Sequence, residues 1–220
     1  MDKHWSDMNK EMQALIAKKD TFKGGIGKLL ELRRSLFEQI TQIVTTFPEE
    51  AFWQMPFAGA EGYHSKTLAY SIWHIFRIED IVAHEMIAED RQVLLGRGFQ
   101  AAIRSPIITT GNELAGEEIV GFSKQLDVRE LYRYAREVMK STDEILAGLE
   151  HSDLKRKFGE DMVEKLGATG CVSGDESARW LIGYWCSKDV RGLVKMPFSR
   201  HWIMHIEAMR RIKAKLSPKT

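Results

Sequence analysis

Four stretches of this chain repeat apolar residues at steps of three and four, and that period commits most of the length to helix. Leu29, Leu32, Leu36, Ile40, Ile43 and Phe47 form the first stripe, the pattern of a helix with one core-facing side. It predicts a long helix from the high twenties to Phe47, ended by Pro48, which cannot continue a helical ladder. Residues 5–20 read as a shorter helix, with Gly24, Gly25 and Gly27 marking the break between the two. A second long helix is expected from about Lys66 to Glu89, with Ser65 as its N-cap. Its stripe is Leu68, Ile72, Ile75, Val82 and Met86, widened by Ile78 and Ile81, and it leaves Arg77, Asp80 and His84 on a wet face. Asp127-Val-Arg-Glu130 has the capping-box pattern and opens a third, striped by Leu131, Ala135, Val138, Thr142, Ile145 and Leu149. The last runs from near Ser199, whose hydroxyl is placed to cap it, to about Lys215.

Between these lie segments of weaker period. Residues 91–127 read as an ordered crossing connection, because so long a stretch inside a compact domain usually has a role. Gly116 to Phe122 adds a short helix there. Residues 155–174 read as loop with one polar helical piece, and residues 176–185 as another short helix. No stretch alternates apolar and polar residues between turn signals as strands do. The expected fold is therefore all-α: a four-helix bundle with long crossover connections and short extra helices. It is read as a single domain over residues 1–220, with long insert-like connections at about 91–127 and 150–198.

Composition narrows the function classes. The chain has 220 residues, 44% hydrophobic and 29% charged, with a formal net charge of +1. A near-neutral balance offers no electrostatic footprint for nucleic acid or an anionic membrane. No eighteen apolar residues run together, so no membrane span is expected, and the N-terminus lacks the apolar core of a signal peptide. Cys171 and Cys186 are fifteen residues apart and form no C-x-x-C unit. Reduced thiols and a cytoplasmic setting are expected, with one thiol open to service as a soft ligand.

The chemistry concentrates in Ser199-Arg-His201-Trp-Ile-Met-His205. Four residues advance a helix by about 400°, so both imidazoles leave one face, one above the other. That is the geometry in which one helix offers two nitrogens to one metal ion. Ala208, Met209, Ile212 and Leu216 continue the same direction, so the pair points inward, while Glu207, Arg210 and Lys213 face water. A third ligand must come from another helix. His74 is the best candidate, mid-helix beside Ile78 and Ile81. His64 lies in a loop, and His4, His84 and His151 sit in polar surroundings. Zinc, nickel or ferrous iron would accept three imidazoles and keep a position open. The competing reading is a set of core-edge imidazoles bonded to backbone carbonyls.

Two further features stand out. Glu79 falls near the centre of the second apolar stripe, where a carboxylate must be paired, hydrogen-bonded or protonated. It reads either as half of a buried ion pair with an arginine on a facing helix, or as an acceptor behind the site or a general base. Trp73, Trp180, Tyr184, Trp185 and Trp202 are large aromatics near the site elements, and read as core or as pocket lining. There is no nucleophile elbow, no dinucleotide fingerprint and no glutamate–histidine pairing of the zinc-protease type, and no expected helix carries the Glu-x-x-His of di-iron bundles.

A histidine in the second long helix, in Ser-Ile-Trp-His74-Ile-Phe-Arg-Ile-Glu, followed by a late His201-Trp-Ile-Met-His205, resembles the DinB-like superfamily. The resemblance spans most of the chain by helix order. It implies a four-helix bundle, commonly dimeric, that holds a divalent metal through three histidines, here His74, His201 and His205. Some members of that superfamily are transferases or isomerases that use low-molecular-weight thiols. The function expected is thus a metal-dependent thiol S-transferase or hydrolase acting on a small molecule. The alternatives are a non-catalytic metal-binding or interaction module, and a purely structural bundle.

Overall fold

In a computed structural model, which describes residues 2–217, the chain is all-α. Among the described residues there is no strand, only one isolated antiparallel bridge between Lys157 and Asp189. Eleven α-helices follow in order among those residues: α1 (Lys3–Ile16), α2 (Phe22–Thr46), α3 (Leu68–Asp80), α4 (Val93–Gly96), α5 (Phe99–Ile103), α6 (Glu117–Gln125), α7 (Val128–Gly148), α8 (Glu160–Ala168), α9 (Glu176–Cys186), α10 (Val190–Lys195) and α11 (His201–Leu216). The long helices α2, α3, α7 and α11 carry the apolar stripes. α2 packs against α7 and α11, and α3 packs against the same two. Asp127 caps α7 by accepting from the backbone N–H groups of Arg129 and Glu130, as its sequence pattern requires.

The glycines at the head of α2 do not break it. The chain turns earlier, at residues 17–21, where the Thr21 hydroxyl donates to the Leu15 carbonyl at 2.7 Å. α2 then runs through Gly24, Gly25 and Gly27 without interruption. Only one of these glycines answers to packing. A Cβ on Gly25 would lie 2.6 Å from Ile16 Cγ2 and 2.7 Å from the Ile16 backbone nitrogen, whereas Gly24 faces open space. The absent side chain lets the end of α1 lie directly on α2. The two sites should therefore respond oppositely to alanine. Gly24→Ala is expected to stabilise by about 0.5–1 kcal/mol through helix propensity. Gly25→Ala should destabilise by about 1–3 kcal/mol, because a backbone atom cannot yield as a flexible side chain does. Urea denaturation of the two variants checks both signs.

α3 departs from its sequence reading in two ways. Thr67, not Ser65, is its N-cap, accepting from the Tyr70 N–H at 3.0 Å. More consequentially, every residue from Leu68 to Asp80 is buried, so the wet face assigned to Arg77, Asp80 and His84 does not exist. The crossing connection lies along it. Arg77 donates to the Ile108 carbonyl, to Gln92 Oε1 at 2.8 Å and to Asp80 Oδ2 at 3.0 Å. Asp80 in turn accepts the Val93 and Leu94 N–H groups and the Tyr134 hydroxyl. His84 is held by Asp90. Buried charges of this kind persist only when paired and hydrogen-bonded. Beyond Asp80 the helix widens into a π-helical segment, Ile81–Ala88.

The last helix also begins differently. α10 continues through a π-helical turn, Met196–Arg200, directly into α11. Ser199 therefore caps nothing, and its hydroxyl back-bonds to the carbonyls of Val194 and Lys195. Pro197 lacks an N–H and cannot donate to the ladder, which suits it to a turn holding an extra residue. No helix among the described residues is long and apolar enough to cross a membrane.

Candidate metal centre

His201 and His205 open α11 on its inward side, and α3 brings His74 against them. The three ring centroids are 4.5 Å (His201–His205), 4.8 Å (His74–His205) and 5.2 Å (His74–His201) apart. One nitrogen from each lies within 4.8 Å of the others, and all three side chains are buried. Nitrogens around a tetrahedral zinc stand about 3.3 Å apart, given bonds of about 2.0–2.1 Å. Small side-chain rotations would close the remaining gap. The group could hold a metal ion.

Hydrogen bonding divides the three rings. His74 Nδ1 faces the Thr110 carbonyl at 2.9 Å, an acceptor that puts the proton on Nδ1 and leaves the Nε2 lone pair free. His201 Nδ1 and both nitrogens of His205 are buried without any hydrogen-bond partner. A structural histidine bonded to backbone satisfies His74 alone. Burial keeps all three neutral. It lowers the pKa of His74 to about 4, opposed by the Thr110 hydrogen bond and aided by the charge of Lys66. His201 and His205 are driven well below the ordinary histidine range, first by burial and then by their imidazole neighbours. Neutral imidazole is the ligating form.

The orientation of His74 comes from a stretch of backbone whose side chains never enter the site. Residues 108–111 run beside α3, and four consecutive carbonyls each accept from one of its side chains. Ile108 accepts from Arg77, Thr109 from Trp73 Nε1, Thr110 from His74 and Gly111 from the Tyr70 hydroxyl. Residues 70, 73, 74 and 77 are one helical face. Gly111 has φ of +77°, a left-handed turn that glycine takes without strain.

The histidines form the floor of a cavity of about 520 Å³. Tyr70 stacks on His74 with centroids 5.6 Å apart and planes 11° from parallel, while Tyr63 meets His205 edge-on at 4.7 Å. α9 supplies Trp180, Tyr184 and Trp185 to the opposite wall, and the π-helical turn supplies Met196 and Pro197. The five singled-out aromatics therefore divide. Trp180, Tyr184 and Trp185 line the cavity, whereas Trp73 and Trp202 are core. Tyr63 and Lys66 also line it, and sequence reasoning missed both because they lie in the irregular stretch before α3.

Glu79 resolves as half of a buried ion pair. Arg33 on α2 grips it with two nitrogens, at 2.7 and 2.8 Å, and Trp202 Nε1 donates to it at 2.8 Å. Asp143 on α7 takes the remaining Arg33 Nε at 2.6 Å. Burial works against the guanidinium charge, but the two carboxylates outweigh it and raise the Arg33 pKa. With both Glu79 oxygens occupied and neither reaching the cavity, a general-base role finds no support. Its contact with Trp202 instead braces the residue beside His201.

The remaining candidates lie elsewhere. Cys171 is buried against Gln92 and Cys186 is half-buried on α9; neither joins the histidine group. His64 meets Arg211, and His151 meets the Ala17 carbonyl. No protein-family model matches this chain, and a search of curated proteins finds no significant match.

Proposed function

We propose that this chain is a DinB-like divalent-metal protein, a four-helix bundle of α2, α3, α7 and α11 whose His74, His201 and His205 hold a transition ion. The observation that carries the reading is the pair of orphaned nitrogens on buried His205, beside an orphaned nitrogen on His201. A buried polar atom without a partner costs about 1–3 kcal/mol, and one ion would take one nitrogen from each ring. Among the described residues no fourth His, Cys, Asp or Glu joins the group, which leaves a position open toward the cavity. Open sites with three protein ligands are the catalytic kind. We therefore assign the protein to metal-dependent enzymes, as a thiol S-transferase or hydrolase acting on a small molecule. The DinB-like reading brings with it a homodimer in a cytoplasmic setting.

Zinc, nickel or ferrous iron there supplies Lewis-acid chemistry that makes a thiol or a water more acidic. The chain's own residues do the positioning. The Thr110 carbonyl sets the tautomer and aim of His74, and Tyr63 and Tyr70 pack against the rings of His205 and His74. The Glu79–Trp202 bond holds the first turn of α11.

Elemental analysis of protein purified without chelator or affinity tag tests the reading, beside a His201→Gln/His205→Gln variant of unchanged circular dichroism. About one equivalent of transition metal is expected in the parent and none in the variant, since two of three ligands are gone. Absence of metal from both, after reloading with zinc, nickel and ferrous iron, would overturn it.

A further inference from the structure

The cavity above the histidines contains one charge that no anion among the described residues answers. Lys66 lines its wall, half-buried, immediately before the N-cap of α3. Its ammonium lies 5.0 Å from the centroid of the Tyr70 ring, which itself stacks on His74. Among the described residues it makes no salt bridge or hydrogen bond. Burial alone lowers its pKa, with no carboxylate opposing the shift. Elsewhere the buried cations Arg33 and Arg77 are each matched by a carboxylate. An unmatched, partly desolvated ammonium inside a concave site is where a ligand anion gains most.

Apart from the histidine floor and Asn112, the rest of the cavity is largely apolar and aromatic. Of the large hydrophobic side chains among the described residues, only Val163 and Trp180 remain exposed, Trp180 at 52%. Trp180 is not loose: its Nε1 donates to the Ser177 carbonyl at 2.8 Å, and its ring meets Tyr184 edge-on at 5.8 Å. A tethered, half-exposed indole at the rim of a pocket is a platform for an apolar or aromatic group.

We infer that the cavity binds a small monocarboxylate with an apolar or aromatic body, its carboxylate on Lys66 and its body between Trp180, Tyr184 and Tyr63. One lysine matches one negative charge, which favours a carboxylate over a phosphate dianion. The volume of about 520 Å³ suits a ligand of roughly drug size. The assignment deepens the metal-centre reading and rests on it for the reactive end of the ligand, which the histidine floor faces.

Calorimetric titration with naphthylbutyrate, and with naphthylbutanol as the neutral control of the same body, tests it on chelator-stripped and metal-reloaded protein alike. The acid is expected to bind at least about tenfold more tightly than the alcohol, equivalent to about 1.4 kcal/mol, in both forms. Lys66→Met should abolish that preference, Lys66→Arg should keep it, and Trp180→Ala should weaken acid and alcohol together. Equal binding of acid and alcohol by the parent would overturn the proposal. So would a preference that survives Lys66→Met, and one confined to reloaded protein would show the metal reading the carboxylate instead. A Lys66-dependent preference in protein that never takes up metal would uphold the ligand assignment while the metal reading fell.

Discussion

Arg33→Met is expected to destabilise the protein by about 3–5 kcal/mol, the cost of leaving a buried carboxylate without its partner. Glu79 is wholly buried, and the substitution removes two of its three hydrogen bonds, leaving only Trp202 Nε1. It also frees Asp143, which is partly exposed and rehydrates at little cost. For a chain of this length the melting temperature should fall by about 10 °C. The double variant Arg33→Met/Glu79→Leu should recover much of the loss, because a buried pair replaced by apolar groups of similar volume is often neutral. Thermal and urea denaturation of the single and double variants decide the point. A single variant within about 1 kcal/mol of the parent would show the ion pair to be energetically idle.

The second large effect is acid lability in chelator-stripped protein. Histidines whose folded pKa is depressed cost nothing above their unfolded pKa of about 6.5, where both states are neutral. As pH falls below that value the unfolded chain takes up protons that the folded chain refuses, and stability declines until the folded pKa is reached. With a folded pKa of about 4, His74 alone should cost about 2 kcal/mol at pH 5. His201 and His205 shift in the same direction and add to it. Urea midpoints measured from pH 7.5 to 5 should therefore fall steeply below pH 6.5. Replacing His205 with glutamine should flatten that slope. A parent whose midpoint is constant over this range would show that the imidazoles charge freely in the folded state. Bound metal should oppose the loss near neutrality, by about 2.7 kcal/mol at a free concentration one hundred times its Kd.

Legibility in the sequence followed the range of the interaction concerned. The stripe Leu29 to Ile43 was readable because helical period is a property of neighbouring residues, and all five of its members are buried. The Asp127 cap was readable for the same reason. His84 illustrates the opposite case. Arg77 and Asp80 precede it along the same helix and read with it as a wet face, and residues 91–127 have no strong apolar period to announce what they cover. The break at Gly24–Gly27 was misplaced because glycine signals a turn and a close helix crossing equally well. Gly25 serves the crossing.

What the sequence by itself determined is the all-α class, the positions of the long stripes, and the projection of His201 and His205 from one face. Each follows from backbone geometry within a few residues. The sequence also named His74 as the best third histidine; only the tertiary structure set it against that pair, and decided which carbonyl aims it and which aromatics roof the cavity. His74 lies well over one hundred residues from His201 in sequence, and Thr110 contributes a backbone atom common to every residue type. Lys66 was silent for a related reason. A lysine before a helix is ordinary until the fold closes a wall around it and supplies no anion.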